Sequence, residues 1–232
     1  MGIVQMGAPR DLILQLQYAF GYRSFIETGT FQGDTALWAG QRFDNVWTIE
    51  AQEAIYQAAR KRWPDGNIHW TLGDTRSALP KVLDQLDSDA IFWLDAHWSG
   101  GDTFGEAAQD ECPLLDELAM IRSDARDHVI LIEGARLFLS PPQRPHRIAS
   151  WPTITQVIDA LRTASNPYIV VHDDVIIAVP QKAKNLVARY CQEANTHAWM
   201  ARCARQNARP SESLPRRLAG MLRLTGQDKA AA

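Results

Sequence analysis

Acidic residues close a series of short apolar runs in this chain, and two of those closures carry further groups that could do chemistry. Phe25-Ile26 runs into Glu27-Thr28-Gly29-Thr30-Phe31-Gln32-Gly33, and Ala90–Leu94 runs into Asp95-Ala96-His97. In the first, a carboxylate precedes two glycines four residues apart. Glycine lets a turn bend sharply and leaves bare backbone for a ligand to lie against. A helical stretch from Asp34 to Arg42 follows at once, so its free N–H groups would point into the same crevice. The spacing is not the dinucleotide G-x-G-x-x-G, and an acid just before the first glycine suits a ligand carrying positive charge or hydroxyl and amine donors, not a pyrophosphate. In the second, a carboxylate and an imidazole lie two residues apart at a strand end. Imidazole is the side chain that gains and loses a proton near neutrality, so His97 is a candidate general base, while the Asp95 carboxylate, also a candidate for the chemistry, can face a ligand amine or a metal ion.

The elements that would position these groups follow from the same pattern. Asn45–Ile49 reads as a buried strand ending in Glu50, 17 residues after Gly33, near the distance at which a second-strand acid reaches ribose hydroxyls in doubly wound folds. A helix from Gln52 to Arg62 is broken by Trp63-Pro64-Asp65-Gly66. Asn67–Leu72 is a third strand, closed by Gly73-Asp74 before a helix over Arg76–Leu86. Ala90–Leu94 is the fourth, and Val129–Ile132 the fifth, closed by Glu133-Gly134. A lone acid after a strand is ordinarily a solvated strand end. Five of them (Glu27, Glu50, Asp74, Asp95 and Glu133), each between an apolar run and a helix or loop, describe a parallel sheet whose carboxyl ends line one crevice.

Taken in that order, Glu27-Thr-Gly-Thr-Phe-Gln-Gly33, Glu50, Gly73-Asp74 and Leu94-Asp95-Ala-His97 resemble a class I S-adenosylmethionine-dependent methyltransferase. The chain is most similar to the small O-methyltransferases of the catechol, caffeoyl-coenzyme A and antibiotic-sugar types, over roughly residues 20 to 180. The resemblance implies a doubly wound, Rossmann-like, seven-stranded, mostly parallel sheet with an antiparallel last strand. It also implies S-adenosylmethionine as cofactor, whose sulfonium, amine and hydroxyls match the ligand chemistry read from Glu27. Cofactor binding would fall on Glu27, Thr28, Gly29, Thr30 and Gly33 at the methionine end, Glu50 at the ribose, Asp74 near the adenine, and Asp95. Catechol-type relatives hold Mg²⁺ between the fourth-strand acid and an acidic or amide pair after the fifth strand. Asp95 and Glu133 match part of that set, but Gly134 offers no side-chain oxygen, leaving the pattern one ligand short. An ion with help from His97 or substrate oxygens and a metal-free base mechanism both stay open.

The remaining chain sets limits. Its 232 residues are enough for one α/β domain, and 46% apolar with 22% charged residues is ordinary for a globule. We read a single methyltransferase domain over residues 1–232, with its core at about 20–180 and a helical C-terminal extension over 181–232. A net charge of −3 gives no basic footprint, so nucleic acid is not an expected partner, although Arg216, Arg217 and Arg223 make the end basic. Cys112, Cys191 and Cys203 lie far apart without metal-ligand spacing, which fits reduced thiols in a cytoplasmic protein. No secretory segment and no run of about 18 apolar residues is present, so membrane insertion is not expected. Oligomeric state stays open, a homodimer being one arrangement.

An amphipathic helix is expected over Pro9–Phe20, a helix over Ile154–Ala164, an antiparallel hairpin of Tyr168–His172 and Val175–Val179 around Asp173-Asp174, and a helix from Pro180 to about Arg205. Four prolines between Leu139 and Pro152 exclude helix and central strand there and predict a long loop. The segment Trp98–Asp116, with Gly100-Gly101, is a candidate lid, and Trp98 alone among the tryptophans is placed to stack on a sugar or ring acceptor. The leading function is methyl transfer to a hydroxyl of a small molecule or a glycan or sugar precursor. The alternative is a non-catalytic protein of the same fold that binds a ligand or partner, and Gly134 keeps it in view. A nicotinamide reductase would need a different glycine spacing.

Overall fold

A computed structural model describes residues 6–63, 66–98, 100, 111–162 and 166–207. The chain divides into two compact units, residues 1–191 and 192–232. The first holds a seven-stranded sheet: β1 (Ser24–Thr28), β2 (Asn45–Glu50), β3 (Ile68–Leu72), β4 (Ala90–Leu94), β5 (Val129–Glu133), β6 (Tyr168–His172) and β7 (Val175–Val179). Their spatial order is β3-β2-β1-β4-β5-β7-β6. The first five strands are parallel, and β7 runs antiparallel to both β5 and β6. The expected doubly wound sheet with an antiparallel closing hairpin is thus the observed one.

Both faces of the sheet are covered, which is why β4 is apolar at every position and β5 at all but its last, instead of alternating. On one face Ile26, Ile49, Phe92, Leu94 and Ile132 pack with residues of α4 (Thr75–Leu83), α5 (Leu114–Ser123) and α7 (Ile154–Leu161). On the other, Phe25, Val46, Ile91, Trp93 and Leu131 pack with α1 (Arg10–Phe20), α2 (Asp34–Gly40) and the first turns of α8 (Lys184–Asn207). Residues 25 and 26 point to opposite faces, as strand geometry requires. The remaining helices are α3 (Glu53–Arg60) and α6 (Ala135–Leu139).

Local chemistry sets the boundaries. Gly21 ends α1 in the left-handed conformation. Asp74 caps α4 by accepting from the Arg76 N–H, and Thr153 with Gln156 forms a reciprocal capping box on α7. Differences from the sequence reading are small and have causes. Helix α2 stops at Gly40, two residues early. Gly134, left-handed, starts a short helix, α6, that the pattern did not announce; it ends at Leu139, where the proline-rich stretch begins. That stretch is not helix-free, because one 3₁₀ turn (Ile148–Ser150) fits between Pro145 and Pro152. In the second unit, residues 192–207 continue α8 as helix. The basic end with Arg216, Arg217 and Arg223 lies outside the described residues. Among the described residues no helix is long and apolar enough to cross a membrane.

Candidate active site

The order of the strands reverses between β1 and β4, and ligands of open α/β sheets bind at the carboxyl ends of the strands flanking such a point. Here the two strand ends touch. A Cβ on Gly29 (φ +83°) would lie 2.2 Å from the Asp95 carbonyl oxygen, so only glycine lets the loops after β1 and β4 approach this closely. Close backbone contact with Asp95, in addition to room for a ligand, is therefore what demands this glycine. Gly33 departs further from expectation. Its missing Cβ would face Ala59 and Trp70 at 3.3 and 3.4 Å, so it serves packing under α3 and β3 and does not line the crevice.

A cleft opens above these ends, lined on one side by Gly29, Glu50 and Asp74 and on the other by Asp95, His97 and Glu133. Four of the five strand-end acids thus share one cavity. Glu27 is the exception: it is buried beneath it, accepting a 2.6 Å hydrogen bond from the Thr48 hydroxyl, which also lies 2.6 Å from that of Thr30. Burial pushes the Glu27 carboxyl up to about 8, against the opposing bonds from Thr48 and Thr35. Thr28 and Thr30 are likewise buried.

Glu50 holds the glycine loop to β2. One oxygen accepts from Phe31 N–H at 2.9 Å and the other from Gln52 N–H at 3.0 Å, and a carboxylate so bound keeps lone pairs for hydroxyl donors. Asp74 is committed to Arg76, which donates to both its oxygens at 2.7–2.9 Å and holds the carboxyl below its usual range.

On the other side, His97 is nearly enclosed, its ring edge-on to Trp151 at 5.4 Å and Phe138 at 6.5 Å. Its Nε2 lies 3.3 Å from Glu133 Oε2 and its Nδ1 3.8 Å from Asp95 Oδ1. One ligand atom from each of Asp95, His97 and Glu133 lies within 4.8 Å of the other two. About a third of the Asp95 side chain faces the cavity, yet protein surrounds the rest. Burial pushes its carboxyl up to about 8, opposed by His97 and reinforced by Glu133, Glu27 and Glu117. Gly134 (φ +74°) supplies no ligand, and a Cβ there would meet His97 Nε2 at 3.2 Å.

Several residues at the site escaped sequence reasoning. Glu117, on the buried face of α5, is raised by burial to about 7. Arg136 lines the cleft, pairs with Asp174 of the hairpin turn and comes within 4.0 Å of Glu133 Oε1. Glu111, buried, accepts from Trp151 Nε1 at 2.8 Å and from the Arg147 backbone and side chain at 3.1–3.2 Å, with His146 Nδ1 3.4 Å away. This latch fastens the proline-rich loop over the cleft, where Gln143 and His146 form its wall. The prolines marked the loop, but only the fold shows that Glu111 meets it. Trp98 lines the cleft with its ring edge-on to His146 at 5.0 Å. Ser99 and residues 101–110 of the candidate lid lie outside the described residues.

The same arrangement of strands and helices occurs in solved proteins. A candidate O-methyltransferase from Klebsiella pneumoniae superimposes with a TM-score of 0.52 over 78% of this chain and 83% of its own, at 16% identity. A candidate caffeoyl-CoA O-methyltransferase from Staphylococcus aureus does so with a TM-score of 0.52 over 76% and 86%, at 15% identity. The chain has the class I S-adenosylmethionine-dependent methyltransferase fold. Within it, the cleft described above lies at the switch point of the sheet. No protein-family model matches the chain, and no curated protein does.

Proposed function

We propose that this protein is a cytoplasmic methyltransferase that moves the methyl group of S-adenosylmethionine to a hydroxyl of a small molecule or a glycan or sugar precursor. The observation that carries the reading is the division of one cleft into two chemically distinct sides. Glu50 and Gly29, with Asp74 nearby, offer hydroxyl acceptors and open backbone to a nucleoside. Asp95, His97 and Glu133 offer proton acceptors to a second, reacting group. Three free cysteines, two of them buried, agree with a reducing compartment.

S-adenosylmethionine supplies an electrophilic methyl on a sulfonium. As the methyl–sulfur bond breaks and the methyl–oxygen bond forms, the hydroxyl must lose its proton, leaving S-adenosylhomocysteine, a methyl ether and a proton. The protein's part is to align the hydroxyl and receive that proton. Alignment can contribute roughly 7–11 kcal/mol, and a placed base about 10²- to 10⁴-fold. Glu50 would bind the ribose hydroxyls. Glu27, being beneath the floor, would act through Thr48 and Thr30 on the shape of the glycine loop. As a free imidazole, His97 would be the base, oriented by Glu133 and facing Asp95. Asp95 and Glu133 could instead serve as carboxylate ligands to a divalent ion, Mg²⁺ being the ion of the catechol-type relatives. The acceptor side is closed by Gln143, His146 and Trp98, a polar and aromatic wall suited to a hydroxylated ring.

Transfer of labelled methyl from S-adenosylmethionine to a panel of hydroxylated sugars and phenols, with Mg²⁺ or Mn²⁺ present, tests the reading. His97→Ala should retain cofactor affinity and lose about 10²-fold or more in rate, because base and ligand roles both need the imidazole. Full activity in that variant would move the chemistry elsewhere. Cofactor binding without transfer to any acceptor would favour a non-catalytic binding protein.

A further inference from the structure

Helix α8 buries Val187 and Cys191 in its first turns, and from Gln192 onward its character changes. Between Gln192 and Gln206 every side chain is exposed except those of Ala194 and Cys203, which are partly buried. Trp199 and Met200 are 65% and 62% exposed, side by side and not scattered singly. With Thr196 and Cys203 they follow the spacing i, i+3, i+4, i+7, so the four share one side of the helix. At about 3.6 residues per turn, Arg205 falls opposite this stripe, and Arg202 and His197 fall on its two flanks. Among the described residues neither arginine pairs with a carboxylate; Arg205 donates to the Ala201 carbonyl of its own helix. Helical segments of this length draw most of their stability from what one face packs against.

Charge separates this segment from the rest of the chain. Residues 192–232 carry seven Arg or Lys and three Asp or Glu, a net +4, whereas the whole chain carries −3, which leaves −7 on residues 1–191. A basic end on an otherwise acidic protein fits an anionic partner. Nucleic acid and lipid headgroups both offer phosphate, so the apolar residues among the cations decide between them. From Gln192 on there are six Leu or Met and a single aromatic, Trp199. Single-stranded nucleic acid is held on successive aromatic platforms. Aliphatic side chains and tryptophan beside arginines instead bury at the boundary of headgroups and acyl chains. In the sequence, Leu214, Leu218, Met221 and Leu222 repeat a helical spacing of apolar residues with Arg216 and Arg217 among them.

We infer that the distal part of α8, residues 192–207, docks this protein on an anionic lipid surface, with Trp199 and Met200 in the interface and Arg202 at the level of the phosphates. Among the described residues no helix can cross a bilayer, so the stripe lies along the surface and does not span it. This docking stands independently of methyl transfer.

The full-length protein is sedimented with vesicles of phosphatidylcholine alone, and with vesicles of which about a third is phosphatidylglycerol. Binding to the anionic vesicles is expected to be at least about 10-fold tighter than to the neutral ones, and to weaken at least about 10-fold from about 0.1 to 0.5 M salt. Arg202→Glu should weaken it about 20-fold or more, a change of two charges at roughly fivefold each. Trp199→Ala combined with Met200→Ala should weaken it about 10-fold or more. The lipid and salt comparisons use the unaltered protein and need no variant to fold. No binding to either vesicle, equal binding to both, or binding that neither variant weakens would overturn the inference. So would tighter binding to a single-stranded oligonucleotide than to the vesicles, which would assign the stripe to nucleic acid. A dimer in lipid-free buffer that the Trp199→Ala, Met200→Ala variant dissolves would equally overturn it, and would assign the stripe to a second copy of the chain.

Discussion

Glu27 opens the sequence motif, yet it is the acid that the fold withdraws from the cleft. Its carboxyl lies beside Thr48 of β2, accepting from that hydroxyl, and burial raises it to about 8. An unfolded chain ionises this group near 4.5, so between about 4.5 and 8 the folded state holds a proton that the unfolded state has lost. Stability from this site is complete below the lower value and declines as pH rises through the window. Glu27→Gln keeps an oxygen for Thr48 and removes the titration. Equilibrium unfolding at pH 5 and pH 8 should therefore show a drop in wild type that is smaller in the variant, by an amount on the order of a few kcal/mol. Glu117, also raised, contributes equally in both proteins, and Asp95, which Glu27 helps to raise, contributes less in the variant and so acts in the same direction. Parallel pH slopes would mean that Glu27 is ionised in the folded protein. The motif showed that an acid sits before the glycine turn. That its side chain turns inward depends on Thr48, which pairs with Glu27 only once β1 and β2 lie in register.

At the scale of elements, the decisive contact is between two segments that are irregular on their own. The loop between α6 and α7 is fastened by one buried carboxylate, Glu111, just ahead of α5. Its bonds to Trp151, Arg147 and His146 outweigh burial and hold the carboxyl below its usual range. The latch is thus complete above the ordinary glutamate range and is lost as pH falls through the lower folded value. Glu111→Ala should cost about 1–3 kcal/mol by leaving the buried Trp151 N–H without its acceptor. It should also open the Arg147–Ile148 bond to trypsin, measured as faster cleavage after Arg147 in otherwise folded protein. Unchanged cleavage would show that the loop is held by its other contacts. Strands, hairpin and long helices were readable because runs of apolar residues and turn signals are local. The latch was not, because residues 36 apart in sequence carry it and no periodicity links them. Short α6 was hidden for a similar reason: its start depends on Asp174 of the hairpin accepting from the Arg136 N–H.

At the scale of the molecule, a parallel sheet with its order reversing between β1 and β4 gathers the ends of distant strands into one cleft. Glu50, Asp74, Asp95 and Glu133 meet there because each ends a strand or begins the loop after it, and this convergence was legible from the sequence alone. Which side of the cleft each would occupy follows from strand order, with β2 and β3 on one side and β4 and β5 on the other. On the function proposed above, Glu50 would take the cofactor's ribose, and S-adenosylmethionine would bind on the β1–β2 side. Calorimetric titration of the purified protein with S-adenosylmethionine, and separately with NADH, tests it most directly. One molecule of S-adenosylmethionine per chain is expected, with no binding of NADH and a loss of about 1–3 kcal/mol in Glu50→Ala as ribose hydroxyls lose their acceptor. Absence of S-adenosylmethionine binding, or an affinity that Glu50→Ala leaves unchanged, would contradict it.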